Sequence, residues 1–168
     1  MDAPASSRNL GEAAGFGWSS RQQKGLKVEA RILHVEDNAD DAMLTALAFR
    51  KAGVAVQLDR ISDGDKAIAV LQKDLTSSSP PVCVLLDIKL PSLSGLEVLA
   101  WIRNQPGLKR LPVIIFTSSL LPSDINHAYD LGANSYLGKP SDLESLVALA
   151  KAIDQYWLRS NISPIAER

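Results

Sequence analysis

From residue 30 onward, short apolar runs alternate with segments whose apolar residues recur every three or four positions. The runs Val82–Leu86 and Pro112–Phe116 are continuously apolar, which is typical of central parallel strands covered on both faces. The intervening segments have helical periodicity. The pattern predicts strands at Arg31–Val35, Val56–Ile61, Val82–Leu86, Pro112–Phe116 and Ser135–Leu137. It predicts helices at Asp40–Ala52, Asp65–Gln72, Leu96–Asn104, Ser123–Leu131 and about Asp142–Trp157.

Strict alternation of five strands with five helices predicts the fold class. It favours an α/β fold in which a doubly wound, five-stranded parallel sheet carries helices on both faces. The crossovers between its strands are expected to be right-handed. Ligands bind such sheets outside the carboxyl ends of the strands, near the topological switch point. Residues that end strands are therefore the candidates for a functional site.

The periodicity of apolar residues divides the chain into three parts. Residues 1–28 follow neither the strand nor the helix period, and we expect a disordered leader there. Residues 29–158 carry the periodic pattern of the domain, and residues 159–168 are predicted to form a C-terminal tail. With 168 residues, of which 46% are hydrophobic and 22% charged, the composition is that of an ordinary globular protein with one domain.

Charge and cysteine content exclude several classes of function. A net charge of −1 lacks the basic footprint of a nucleic-acid binder. The single cysteine, Cys83, excludes an internal disulfide framework and a multi-cysteine metal site. No apolar run approaches the roughly 20 residues needed to cross a bilayer, and no secretory signal is present. We expect a cytoplasmic protein that binds neither DNA nor membranes.

Charged and hydroxyl residues follow the predicted strands. Glu36 and Asp37 follow the first strand and Asp87 the third, Thr117 follows the fourth, and Lys139 lies just beyond the fifth. Two carboxylates about 4 Å apart repel by roughly 4 kcal/mol at an effective dielectric constant near 20. An edge with three of them needs a cation or raised pKa values. Oxygen ligands without a His/Cys cluster favour Mg²⁺.

The acidic loop Glu36–Asp41 argues against a flavin or dinucleotide site, because it repels phosphate unless a metal intervenes. With a metal bound, Asp87 can act as a carboxylate nucleophile on phosphorus and form an aspartyl phosphate. Lys139 can neutralise a phosphoryl oxygen, and the Thr117 hydroxyl can donate to another. The strand ends therefore predict metal-assisted phosphoryl transfer.

Four motifs resemble the receiver domains of response regulators in two-component signalling. The resemblance covers residues from about 30 to 157, and the spacings between its motifs match those of the family. It implies a flavodoxin-like (βα)5 fold. The motifs are Val35–Asn38, Leu86–Pro91 with Gly95, Phe116–Ser119 and Gly132–Pro140.

The resemblance also implies roles for individual residues. Asp87 would accept a phosphoryl group from a phosphohistidine of a sensor histidine kinase, and Thr117 and Lys139 would bind that group. Thr117 and Tyr136 would form the conformational switch. The family pattern further implies a cis or strained junction between Lys139 and Pro140. The implied ligands of Mg²⁺ are Glu36, Asp37, Asp87 and the backbone carbonyl of Lys89.

Within the family, the chain is similar to single-domain regulators that partner phytochrome-type histidine kinases. The shared features are the acidic motif followed by Asp41 and Leu44-Thr45, the Ser/Pro-containing loop before the third strand, and the ending Asp154–Leu158. Such a regulator would be a stand-alone phosphoacceptor that catalyses its own phosphorylation and dephosphorylation but is not an enzyme acting on other substrates. Its output would be a downstream protein that the sequence does not identify, or a homodimer through helix 4, strand 5 and helix 5.

Several alternatives stay open. A degenerate receiver could act as a scaffold without phosphorylation. An aspartyl-phosphate hydrolase would need a second acid two residues after Asp87, where this chain has Lys89. Asp40 and Asp41 are interpreted as charges at a helix start, and His34 as a packed neighbour of the acids. The apolar face proposed for a homodimer could equally belong to one wide core stripe on the last helix.

Overall fold

A computed structural model describes residues 30–77 and 79–162. Five parallel strands form one sheet in the order β2-β1-β3-β4-β5, with a helix after each strand. The strands are β1 (Ala30–Val35), β2 (Val56–Ile61), β3 (Cys83–Leu86), β4 (Val113–Thr117) and β5 (Ser135–Gly138). The helices are α1 (Ala39–Lys51), α2 (Gly64–Asp74), α3 (Gly95–Asn104), α4 (Pro122–Asp130) and α5 (Leu143–Ile153). The predicted fold class is confirmed, and the strand order reverses direction between β1 and β3.

The apolar runs of the central strands feed two separate cores, because successive side chains of a strand point to opposite faces. In β3, Val84 and Leu86 pack with residues of α2, α3 and α4. Cys83 and Leu85 pack on the other face with residues of α1 and α5. A strand covered on both faces therefore has no polar position, as its sequence indicates.

Local signals fix the helix starts next to the strand ends. The Asn38 side chain accepts hydrogen bonds from the backbone N–H groups of Asp40 and Asp41 at the start of α1. At the start of α3, Ser94 and Glu97 form a reciprocal capping box. With these caps, α1 begins after a three-residue loop that follows β1, and α3 begins after an eight-residue loop that follows β3.

Two details differ from the sequence-based expectation, apart from shifts of one or two residues at the ends of elements. Helix α5 ends at Ile153 and continues as a π-helical segment, Asp154–Ser160, so regular α-helix does not reach Trp157. This segment includes the first residues of the predicted tail 159–168. Of the cis or strained junction implied between Lys139 and Pro140, the cis form is wrong, because no peptide bond between described residues is cis. The predicted leader, 1–28, and residues 163–168 lie outside the described residues.

A search of the described helices for a membrane span found none that combines the required length and apolar character.

Candidate functional site

Three carboxylates meet at the carboxyl edge of the sheet. One oxygen from each of Glu36, Asp37 and Asp87 lies within 4.8 Å of the others. Parallel pairing explains the meeting, since Val35 at the end of β1 is opposite Leu86 at the end of β3. The backbone N–H of Asp87 also donates to the carbonyl of Val35 at 3.1 Å. The three acids, which the sequence places after β1 and β3, therefore lie close together in the fold.

Lys139 reaches this cluster from the end of β5. Its Nζ atom lies 2.7 Å from Asp87 Oδ2 and 3.2 Å from Asp41 Oδ2, and it also donates to Glu36 Oε2. The backbone N–H of Lys139 donates to the carbonyl of Thr117 at 2.8 Å, which ties the lysine to the end of β4. Its side chain is 10% exposed. One ammonium group therefore contacts three carboxylates.

Burial and charge act against each other at this site. Burial raises the pKa of Glu36, and the hydrogen bond and charge of Lys139 offset only part of that shift. For Lys139, burial alone would lower the pKa. Its hydrogen bonds to Asp87 and Glu36 outweigh burial, so the pKa of Lys139 lies above its ordinary value. The lysine stays charged and compensates the acids around it.

Asp41 belongs to the site, although the sequence favoured only a helix-start charge for it. Its backbone N–H does take part in the N-cap, and its carboxylate also contacts Lys139. Asp40 is exposed, as a helix-start charge should be. The position of Asp41 in the acidic loop Glu36–Asp41 was a signal that it could join the site. The loop sequence alone does not show which of its acids faces Lys139.

Thr117 and Tyr136 are linked through a residue that the sequence argument did not single out. The Thr117 hydroxyl oxygen accepts from the backbone N–H of Ser119 at 3.3 Å. The carbonyl of Ser119 accepts from the Tyr136 hydroxyl at 2.9 Å, and its own hydroxyl donates to Asp124 Oδ2 at 2.5 Å. Burial raises the pKa of Tyr136, so its hydroxyl keeps its proton at neutral pH. Ser119 therefore connects the two predicted switch residues.

His34 is a packed neighbour of the acids. The residue is 1% exposed, and its ring lies 6.2 Å from the ring of Phe116, centroid to centroid. Neither ring nitrogen has a hydrogen-bond partner among the described residues. Burial, together with the charges of Lys139 and Arg60, lowers the pKa of His34 to about 4. The imidazole is therefore neutral at pH 7.

The donor set suits a hard divalent cation. The cluster of Glu36, Asp37 and Asp87 offers only carboxylate oxygens, which Mg²⁺ and Mn²⁺ prefer over soft ligands. Lys89 is exposed, and its backbone N–H donates to Asp87 Oδ1 at 3.3 Å. The arrangement combines a candidate cation site, a buried carboxylate and an ammonium group within a few ångströms.

Comparison with known families identifies the class of protein. Residues 32–151 match the family described as "Response regulator receiver domain". The chain belongs to this family. The resemblance carried by the four sequence motifs is therefore confirmed.

Relatives of known identity extend over most of the chain. The probable methanogenesis regulatory protein FilR2 of Methanothrix harundinacea is 39% identical, and the match covers 79% of this chain and 86% of that protein. Response regulator Rcp1 of Synechocystis is 36% identical, with 80% of this chain and 93% of Rcp1 covered.

Solved structures give the same picture. The crystal structure of the phosphorylated cyanobacterial phytochrome response regulator RcpA superposes with a TM-score of 0.74 at 36% identity, covering 82% of this chain and 99% of RcpA. The Mn²⁺-bound form of Rcp1 gives a TM-score of 0.72 at 35% identity, covering 81% of this chain and 99% of Rcp1. The predicted similarity to phytochrome-associated regulators is confirmed.

Proposed function

We propose that this chain is a phosphoacceptor that takes a phosphoryl group on Asp87 from a sensor histidine kinase and relays the signal through protein contacts. The observation that carries the proposal is the meeting of Asp87 with Glu36 and Asp37 within 4.8 Å, under the ammonium group of Lys139. Membership of the receiver family supports the same function.

A divalent cation is part of the proposal, and Mg²⁺ is our choice. Glu36, Asp37 and Asp87 would hold it, together with the backbone carbonyl of Lys89. When bound, the cation offsets negative charge on the phosphoryl oxygens. The oxygen-only donor set supports a hard cation, and so does the Mn²⁺-bound form of the relative Rcp1.

In the proposed transfer, a carboxylate oxygen of Asp87 bonds to phosphorus as the phosphorus–nitrogen bond of a phosphohistidine breaks. The electron pair of the broken bond returns to the donor imidazole. Lys139, already 2.7 Å from Asp87, would pair with a phosphoryl oxygen. The Thr117 hydroxyl would donate to another. Phosphoryl transfer depends mainly on such positioning and charge neutralisation.

The relay would begin at Thr117. When its hydroxyl turns to the phosphoryl group, it gives up the hydrogen bond from the Ser119 backbone. Because Ser119 also holds the Tyr136 hydroxyl, the β4–α4 loop and the tyrosine would rearrange together. The new charge would thus bias a two-state element. Exposed apolar residues near this face, Leu121 and Tyr129 among them, support a protein partner or a homodimer through α4, β5 and α5.

The proposed kinase is of the phytochrome type, supported by the similarity to RcpA, a phytochrome response regulator. In this role the chain is a phosphoacceptor, not an enzyme acting on other substrates. Cytoplasmic location stays a prediction, and so does the boundary of the domain at residues 29–158. The alternative functions, a scaffold or a hydrolase, are not favoured. A hydrolase would need a second acid two residues after Asp87, and this chain has Lys89 at that position.

Intact-mass measurement after incubation with acetyl phosphate and Mg²⁺ tests the function. We expect the wild type to gain one hydroxylamine-labile phosphoryl group, and Asp87→Asn to gain none. Asp65→Asn removes an exposed acid of α2 and should behave like the wild type. A wild type that stays unmodified even with its kinase would support the scaffold. Continuous phosphate release from phosphomonoesters would support the hydrolase.

A further inference from the structure

The side chain of Arg60, on β2, donates hydrogen bonds to the backbone of two acidic residues that follow the neighbouring strand β1. Its Nε atom donates to the carbonyl of Glu36 at 3.1 Å, and its Nη2 atom donates to the carbonyl of Asp37 at 2.7 Å. The pairing of His34 with Arg60 in the parallel register places the guanidinium alongside these carbonyls. One planar fork therefore spans two consecutive peptide units.

The two acids differ in what holds their carboxylates. The Glu36 carboxylate accepts from Lys139 and from the backbone N–H of Asn38, the latter at 3.0 Å. Asp37 is exposed, and within residues 30–77 and 79–162 its carboxylate has no hydrogen bond or ion pair. The direction of the Asp37 side chain therefore follows from its main chain, which Arg60 holds at the carbonyl.

We propose that Arg60 is a positioning residue for the cation site: its fork fixes the Glu36–Asp37 backbone so that the Asp37 carboxylate faces Glu36 and Asp87. This inference rests on the proposed function, since it concerns the cation that the three acids would hold. Arg60 acts through the backbone of these acids and does not itself touch the cation.

Simple electrostatics makes the opposite prediction for the same residue. A guanidinium beside a cation site repels the cation, although salt screens an exposed charge. Removal of Arg60 would then strengthen cation binding. Loss of a positioning contact would weaken it. The sign of the change in affinity separates the two explanations.

The experiment is a titration with Mn²⁺ alone, followed by the electron paramagnetic resonance signal of the free ion. We expect Arg60→Ala to bind Mn²⁺ about tenfold more weakly, as losses of groups that orient metal ligands commonly do. Arg60→Lys keeps the charge but not the fork, and it should also bind more weakly. Arg50→Ala removes the same charge from an exposed position in the last turn of α1 and should match the wild type.

A second measurement needs no metal. Backbone amide exchange at Asp37 and Asn38 should be faster in metal-free Arg60→Ala than in wild type and Arg50→Ala. Affinity of Arg60→Ala equal to or tighter than wild type, or unchanged exchange, would overturn the role of Arg60. A wild type that does not bind Mn²⁺ would instead refute the proposed cation site, while exchange would still decide whether Arg60 anchors the loop.

Discussion

Lys139 Nζ and Asp87 Oδ2 lie 2.7 Å apart, although 52 residues separate them in the chain. The two residues stand at the ends of different strands, β5 and β3, which β4 separates in the sheet. Glu36 shares the same ammonium group. In this arrangement the lysine offsets the repulsion between the acids, and it stands where the charge of a transferred phosphoryl group would develop.

Lys139→Met should separate cation binding from phosphoryl transfer. Affinity for Mn²⁺ should stay equal or rise, because a cation that competes for Glu36 and Asp87 is gone. The rate of phosphorylation by acetyl phosphate should fall about 100-fold, the scale on which loss of one charge-stabilising donor acts. Lys66→Met, at an exposed position of α2, is the matched control. An unchanged rate in Lys139→Met would show that the ammonium group has no part in the transfer.

Gly95→Ala should displace Asp87. A Cβ atom at position 95 would lie 1.9 Å from the carbonyl oxygen of Asp87, so the backbone would have to shift. We expect a loss of about 1–3 kcal/mol in the free energy of unfolding and slower phosphorylation. In Gly107→Ala the added carbon meets only the end of the flexible Leu75 side chain. Urea unfolding of both variants measures the loss. If Gly95→Ala is as stable as Gly107→Ala, the close contact between position 95 and the Asp87 carbonyl is contradicted.

Tyr136→Phe should loosen the β4–α4 loop. It removes the hydrogen bond from the tyrosine hydroxyl to the Ser119 carbonyl, at a cost of about 0.5–1.5 kcal/mol. Amide exchange at Leu121, whose N–H donates to the Ser119 hydroxyl, should become faster. Tyr129→Phe alters an exposed ring on α4 and should change neither quantity. If both variants exchange alike, the hydroxyl does not hold the loop.

Asp59→Asn should lower stability in a pH-dependent way. The Nε atom of Arg31 lies 2.6 Å from Asp59 Oδ2. Burial raises the pKa of Asp59, but the hydrogen bonds from Arg31 and Gln57 outweigh it, and the net pKa lies below 3.8. A lowered folded-state pKa adds stability that is present above pH 3.8 and is lost as the pH falls through the folded-state value.

The expected difference between wild type and Asp59→Asn is therefore at most about 1 kcal/mol at pH 7, narrowing as the pH falls below 3.8. Urea unfolding across this range measures it. Asp130→Asn, at an exposed position at the end of α4, controls for the loss of one negative charge. A difference that persists undiminished in acid would exclude the ion pair as its source.

Much of the fold could be predicted from the sequence. The bounds predicted for β2, Val56–Ile61, match the structure. Strands β1, β3 and β5 differ from the prediction by one residue at one end, and β4 is shifted by one residue at both ends. Apolar runs mark strands because a buried strand excludes polar side chains from both faces. Parallel strands place their carboxyl ends on one edge, so the sequence alone places Glu36, Asp87 and Lys139 at the same edge of the sheet.

The end of α5 was less readable. Leu146, Ala150 and Ile153 are buried as the helical stripe predicts, and the partly buried Trp157 packs on the same core. The change from α-helix to the π-helical segment Asp154–Ser160 has no periodic signature. The spacing of apolar residues indicates which face of a helix is buried. It does not indicate where an α-helix changes to the wider turns of a π-helix.

The order of residues is enough to specify the alternation of strands and helices, the two-sided burial of the central strands and the set of polar residues at one edge. Which partner each polar group takes depends on the folded arrangement. Asp41 meets Lys139 from 98 positions away, and Arg60 reaches the carbonyls of Glu36 and Asp37 from another strand. Local propensity and periodicity act over a few residues, whereas these contacts depend on side-chain directions set by the packing of the whole sheet.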